Sequence, residues 1–297
     1  MPPARRVEVE VESRRLSLSN LDKVMYPEVG FTKGQVIDYY TRIAPAVLPH
    51  LRGRPLTLKR YPNGVEGQYF YEKQCPSHRP EWVRSAAIGM GNKTIDFCLC
   101  DDLPTIVWLA NLADIELHPS LALAEAVERP TVMAFDLDPG PPAGIPECCE
   151  VALLLREALT SLGLESFVKT SGSKGMQVYV PLNRGEATYD DTKPLSQALA
   201  RHLEAQHPKL VVSTQKKELR KGKVLIDWSQ NDEHKTTVSV YSLRARPTPT
   251  VSAPVRWDEL DDPAALSFDS AAVLERVARD GDLWEPVQVL RQKLPEL

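Results

Sequence analysis

Valine and glutamate alternate from Val7 to Glu12, and Leu16 and Leu18 extend the apolar set, so residues 7–18 read as an opening strand with one buried face. The period then changes. Val36, Ile37, Tyr40, Ile43 and Val47 recur at helical spacing behind Thr32 and Gln35, a capping-box pair, and predict a helix over 33–50. Two strands follow at 55–61 and 68–73, with Asn63-Gly64 as the turn signal between them. Residues 93–100 read as a further strand, and the apolar run 104–117 as a helix ended by His118 and Pro119. Beyond a strand at 131–138 the pattern predicts a helix over 145–162 stopped by Gly163, strands at 165–169 and 176–182, and a helix over 192–206. Strands at 209–213, 223–229 and 236–243 come next, and helices at 269–280 and 283–294 close the chain. Strands mixed with helices, some joined as hairpins and some by crossovers, predict an α+β or mixed α/β layered fold.

The stretch from Thr131 to Gly140 concentrates the candidate chemistry. Side chains alternate across a strand, so Val132, Ala134, Asp136 and Asp138 share one face while Met133, Phe135 and Leu137 share the other. Two carboxylates on one face, about 7 Å apart at a strand's rise per residue, can hold a hard divalent cation between or beside them. Lys223 to Ser229 repeats the arrangement: Val224, Ile226 and Trp228 point one way, Leu225, Asp227 and Ser229 the other. Three carboxylates on neighbouring strands are what two-metal phosphoryl transfer requires. A solvated turn and a strand-edge aspartate paired with a base would produce the same residues.

Thr170 to Gly175 reads as a phosphate cradle in which Gly172 admits close backbone approach, Ser171 donates hydroxyl hydrogen bonds and Lys174 adds charge. The spacing is not that of a Walker loop, and a plain hairpin turn fits the same residues. Arg244 and Arg246 end a predicted strand on one face, suited to forked contacts with a triphosphate or to simple surface exposure. His118 at a helix end reads as a cap or a ligand. Tyr69, Phe70 and Tyr71 in succession oblige at least one ring to point away from the core.

Composition narrows the class. The formal charge of −4 hides an uneven distribution: residues 257–297 carry ten acids and four bases, which leaves the preceding part net positive, with a basic cluster from Lys216 to Lys223. A secretory signal and an apolar run of membrane-spanning length are both missing from the pattern, so a cytoplasmic, nucleoid-associated protein is expected. Five cysteines, Cys75, Cys98, Cys100, Cys148 and Cys149, suit a reducing compartment better than a disulfide framework.

Six stretches together resemble one family: Asn20 to Pro27, Arg54 to Gly64, Phe70-Tyr71-Glu72-Lys73, Asp136-Leu137-Asp138-Pro139, Ser171-Gly172-Ser173-Lys174-Gly175 and Asp227-Trp228. They are similar, in order and over nearly the whole chain, to the polymerase domain of bacterial ligase D, within the archaeo-eukaryotic primase superfamily. The resemblance implies a single primase-polymerase domain of central β-sheets flanked by helices. Its N-terminal DNA-binding part would span about 1–130, its catalytic part about 131–250 and its C-terminal helical segment about 251–297.

The family implies a template-dependent polymerase that fills short gaps and extends DNA ends, favouring ribonucleotides and manganese over magnesium. Asp136, Asp138 and Asp227 match its metal triad, and His118, Ser171, Gly172, Lys174, Arg244 and Arg246 fall at its nucleotide-phosphate positions. Lys23 and Lys33 match a pocket for a downstream 5′-phosphate, with Lys59 beside the DNA path. Phe70 and Tyr71 match a pair that stacks on the templating base, and Arg220 an arginine that helps align DNA ends. Gln177 departs from the family, which usually has histidine there. The sequence has no Lys-x-Asp-Gly ligase motif, so a separate DNA ligase and end-joining or excision-repair proteins are the implied partners. A primase that starts chains de novo and a non-catalytic DNA-end-binding module are the alternatives.

Overall fold

The computed structural model describes residues 6–295. The opening strand is two strands, β1 (Arg6–Val11) and β2 (Arg14–Ser19), folded into an antiparallel hairpin. Glu12 and Ser13 both adopt positive φ at its turn, a conformation that strand alternation does not reveal. A short pair, β3 (Val24–Tyr26) and β4 (Phe31–Thr32), leads into α1 (Lys33–Leu51). The capping box forms as its spacing predicts: Gln35 N donates to Thr32 Oγ1 at 3.3 Å and Thr32 N donates to Gln35 Oε1 at 2.8 Å.

β5 (Leu56–Arg60), β6 (Phe70–Glu72), β7 (Ser85–Met90) and β8 (Lys93–Cys98) belong to one sheet, with α2 (Leu103–Asn111) packed against α1. The helix expected to reach residue 117 stops at Asn111. Ala113 takes a φ of +60°, and β9 (Asp114–Pro119) follows, running antiparallel along β5. Acid, apolar and histidine residues alternate through β9, so His118 lies on a strand and is not a helix cap.

β10 (Val132–Pro139) is the centre of a six-stranded sheet whose order is β13-β14-β10-β12-β11-β15. Its other strands are β11 (Phe167–Thr170), β12 (Met176–Pro181), β13 (Val211–Val212), β14 (Val224–Asp227) and β15 (Pro254–Val255). α3 (Ile145–Ser161) and α4 (Tyr189–Gln206) cover one face, where Met133, Phe135 and Leu137 pack with Val178, Leu155, Leu159 and Leu199. On the opposite face Val132, Ala134 and Tyr179 join the core built around α1, α2, β5 and β9. β10 is therefore buried on both sides until its last residues, where Asp136 is half-buried and Asp138 exposed.

Residues 236–243 form no strand. They run beside β9 through scattered backbone hydrogen bonds, Thr237 N to Pro119 O at 3.2 Å and Ser239 N to Leu117 O at 2.9 Å, with Tyr241 at positive φ breaking any regular ladder. The two arginines that follow consequently do not end a strand. α5 (Ser270–Asp280) forms as expected, but α6 (Glu285–Val289) is short, and the chain then extends so that Gln292 N bonds Leu182 O at 3.1 Å. Val273, Trp284 and Val287 dock this segment on the core. Cys75 and Cys98 are joined as a disulfide, against the expectation of free thiols. The backbone sets the pairing: Cys75 N bonds Asp96 O at 2.6 Å and brings the two Cα atoms to 4.8 Å.

Phe135 is fully buried between α3 and the sheet. Phe135→Ala should cost about 3–5 kcal/mol of folding stability through lost contacts and a residual cavity, read as a lower denaturant midpoint at unchanged slope.

Candidate active site

Antiparallel pairing of β10 with β14 sets Asp136 directly opposite Asp227, and Asp138 opposite Leu225. The three aspartates of the sequence reading thus meet at one end of the sheet. Each is held by a protein donor. Gln177 Nε2 donates to Asp136 Oδ1 at 3.0 Å, and Arg220 Nη1 lies 3.0 Å from Asp138 Oδ2. Asp227 accepts from Ser229 N at 3.0 Å, Ser229 Oγ at 2.6 Å and Gln230 Nε2 at 2.9 Å. Among the described residues no three acidic, histidine or cysteine side chains converge as a ready ion cage. Burial pushes the Asp136 carboxyl up to about 6, with the neighbouring charges of Asp227 and Asp138 adding to the rise against the Gln177 hydrogen bond.

Asp136 and Asp138, but not Asp227, line a cavity of ≈ 420 Å³. Asp136, Asp138 and Gln177 form the base, and Ser171, Lys174 and Gly175 form one wall. His118, Tyr71 and Arg244 stand opposite. The 171–175 loop is shaped by contacts that exclude side-chain carbon: a Cβ on Gly175 would lie 2.0 Å from Leu137 O, and one on Gly172, at φ +65°, 2.5 Å from the Val251 carbonyl. Ser171 Oγ accepts from Ser173 N at 3.2 Å and Gly175 N at 3.1 Å, which folds the loop on itself. Lys174 stays exposed at its tip.

Arg244 bridges this loop to the opposite wall, donating from Nη1 to Ser171 O and lying with Nε 3.4 Å from Glu116 Oε2. Arg246 does not share the cavity; it lines a neighbouring one with Gly172, Ser173 and Thr248, on the far side of the loop. His118 Nε2 is 3.0 Å from Glu116 Oε2, and Tyr71 meets its ring edge-on at 5.9 Å between centroids. Burial lowers the His118 pKa, and the Glu116 carboxylate opposes that fall.

Glu116 and Lys169 are absent from the residues that sequence reasoning singled out, and Gln177 entered it only as a departure from the family's histidine. Glu116 became invisible once its strand was read as helix; the alternation of Asp114, Glu116 and His118 was the available signal. Lys169, opposite Gln177 in the β11–β12 register, is wholly buried and donates to Ser252 Oγ at 2.6 Å and Val238 O at 3.2 Å. A lysine inside a short apolar strand gives no such signal.

The expected DNA-binding residues fall in two groups beside the cavity. Lys59, opposite Tyr71 in the β5–β6 register, pairs with Glu116 at 3.1 Å and lies 4.7 Å from the Tyr69 ring and 5.4 Å from that of Tyr71. Phe70 and Tyr71 are 41% and 56% exposed, which leaves ring surface open. Further out, Lys33 Nζ donates to Ser19 O at 2.7 Å, and Lys23 reaches Asn63 Oδ1 at 3.4 Å. Burial, then the charges of Lys23 and Arg60, lowers the Lys33 pKa to about 8. Arg220 sits apart from both groups, on Asp138.

Known proteins share this architecture. Residues 32–284 match the family model described as the LigD primase-polymerase domain. The multifunctional non-homologous end joining protein LigD of Mycobacterium bovis is 42% identical over 280 residues, covering 92% of this chain and 37% of its own length. The bifunctional LigD of Bacillus subtilis is 30% identical over 270 residues, 90% of this chain and 43% of its own. The chain thus spans less than half of these relatives. The solved polymerase domain of Mycobacterium tuberculosis ligase D, in complex with DNA, superposes with a TM-score of 0.88 at 40% identity, covering 94% of this chain and 99% of that one. A shared fold along almost the entire chain, with identity of this order, makes it a member of the LigD primase-polymerase domain family.

Proposed function

We propose that this chain is a metal-dependent, template-directed nucleotidyltransferase that fills short DNA gaps and extends DNA ends in end joining, favouring ribonucleotides and recognising a downstream 5′-phosphate. One observation carries the reading: Asp136, set opposite Asp227 by strand register, and Asp138 line a cavity that the 171–175 loop, His118 and Arg244 also line. In this reaction a primer 3′-hydroxyl attacks the nucleotide α-phosphate in line and pyrophosphate leaves.

The donor set suits Mn²⁺ or Mg²⁺, since three carboxylates supply hard oxygens, and a cation would offset the burial and the neighbouring carboxylate charges that raise the Asp136 pKa. Asp136, Asp138 and Asp227 would hold it once Arg220 releases Asp138 and Asp227 turns from Ser229. Bound divalent cations would activate the attacking oxygen and neutralise the leaving group. The rest falls to the chain itself. Arg244, Lys174 and His118 meet the phosphates, and the rigid 171–175 loop fixes where they lie. Phe70 and Tyr71 offer faces on which a templating base stacks. Lys23, Lys33 and Arg60 form a cationic group with the character of a phosphate pocket. The DNA-bound structure of the mycobacterial relative and the end-joining names of the others support DNA ends as the substrate.

Extension of a primer across a short gap, assayed with each metal and each nucleotide class, tests the reading. The wild type should extend, and Asp136→Ala with Asp138→Ala should reduce the rate by at least about 10³-fold. DNA binding without extension in any condition would leave the end-binding module as the better account.

The phosphate pocket makes a second prediction. Lys33 is charged below about pH 8 and loses its proton as the pH rises through that value. Stimulation of kcat/KM by the downstream 5′-phosphate should therefore hold below that pH and decline above it. Lys33→Gln should abolish the stimulation throughout; a profile that stays flat across this range in the wild type contradicts the pocket.

A further inference from the structure

Behind the cationic wall lies a carboxylate that does not line the cavity. The Glu116 side chain is 2% exposed, and its two oxygens gather groups from three segments. Oε2 faces Lys59 Nζ of β5 at 3.1 Å, His118 Nε2 of β9 at 3.0 Å and Arg244 Nε at 3.4 Å. Oε1 accepts from Tyr61 Oη at 3.2 Å and from Ala245 N at 3.0 Å.

We propose that Glu116 is a positioning residue of the nucleotide site, an anionic hub that fixes the Arg244 guanidinium and the His118 imidazole in the orientations in which they receive the triphosphate. This rests on the nucleotidyltransferase reading above. Three cationic or protonatable groups packed this closely repel one another, and a buried carboxylate among them offsets that repulsion, through hydrogen bonds with Lys59 and His118 and through charge alone with Arg244. Geometry adds direction to charge. With Nε2 committed to Glu116, His118 keeps Nδ1 as its remaining polar atom. Arg244 donates from Nη1 to the Ser171 carbonyl, while Nε, without a hydrogen-bond partner among the described residues, is drawn toward Glu116 by charge, so the fork is oriented before a ligand arrives. Ala245 N on the same carboxylate ties the backbone beside Arg244 to β9.

Burial by itself would raise the Glu116 pKa; the His118 hydrogen bond and the charges of Arg244 and Lys59 overcome it and hold the group well below the ordinary carboxylate range. The hub is thus anionic at neutral pH. His118 is faced by Glu116 and by the charges of Arg244 and Lys59, with the Tyr71 ring against its edge.

The test is a double-mutant cycle on Glu116→Gln and Arg244→Ala. Equilibrium affinity for ATP with Mn²⁺ is measured in all four proteins, and kcat for gap filling in the wild type and Glu116→Gln. Gln keeps the shape and removes the charge. It should weaken ATP about tenfold while changing kcat by less than about threefold, and should weaken it by a clearly smaller factor, about threefold or less, in the Arg244→Ala background, where only the share acting through His118 remains. A merely structural glutamate would weaken ATP by the same factor in both backgrounds. Additivity of that kind, or affinity within about twofold of wild type, overturns the inference. Should Gln not fold, Glu116→Asp, which keeps the charge on a shorter arm, takes its place in the same cycle with the same criteria. A wild type that extends no primer defeats the polymerase reading, whereas an active wild type with unaltered ATP affinity in Glu116→Gln defeats only the role given to Glu116.

Discussion

A strand buried on both faces can carry charge only where it leaves the core, and β10 is such a strand. Its first residues are enclosed by two separate hydrophobic clusters, one under α3 and α4 and one toward α1 and β9. Asp136 and Asp138 therefore emerge at its end, and antiparallel pairing decides which groups they meet. Asp227 and Gln177 both stand opposite Asp136 because β14 and β12 flank β10 in fixed register. A slip of one residue would turn every one of these side chains to the wrong face. The cavity is a consequence of sheet register before it is a consequence of any polar contact.

Electrostatic balance around that cavity is divided between two poles. The floor holds like-charged aspartates, each restrained by a donor, and the wall holds Lys59, His118 and Arg244 around a single buried carboxylate. A triphosphate with its counterions is complementary to this pattern, since it brings negative charge to the wall and positive charge to the floor. The 171–175 loop stands between the poles and touches both, through Gly175 against Leu137 and Ser171 against Arg244.

Most regular elements were legible because burial imposes its period on the sequence. Thr32 and Gln35 announced α1, and the alternation from Val132 to Asp138 announced β10 with the correct face for each residue. What failed depends on backbone angles that apolar patterning does not encode. Positive φ at Glu12, Ser13, Ala113 and Tyr241 split the first strand, ended α2 early and dissolved the strand expected at 236–243. The cost was functional as well as structural. Reading β9 as helix hid Glu116, and reading a strand before Arg244 put Arg246 on the same face, whereas it lies across the loop. Motif resemblance pointed to the aspartates and to the 171–175 loop; it carried no information about the buried carboxylate behind the wall. The Cys75–Cys98 pairing was likewise hidden, since it depends on where β8 brings Cys98 and not on spacing.

The contact between Gly140 and Arg220 sets the time on which Asp138 can be uncovered. A Cβ at Gly140 would fall 2.0 Å from Arg220 O, and Gly140 N bonds Lys223 O at 2.8 Å while Gly222 N bonds Gly140 O at 3.0 Å. The main chain around Arg220 is clamped to the turn that ends β10, and among the described residues its guanidinium is held by Asp138 and Gln215. Freeing the aspartate then takes a rotamer exchange of one side chain, 18% exposed and with its Nε buried, and no movement of the main chain. Opening the loop would take far longer, and nothing about the clamp requires it.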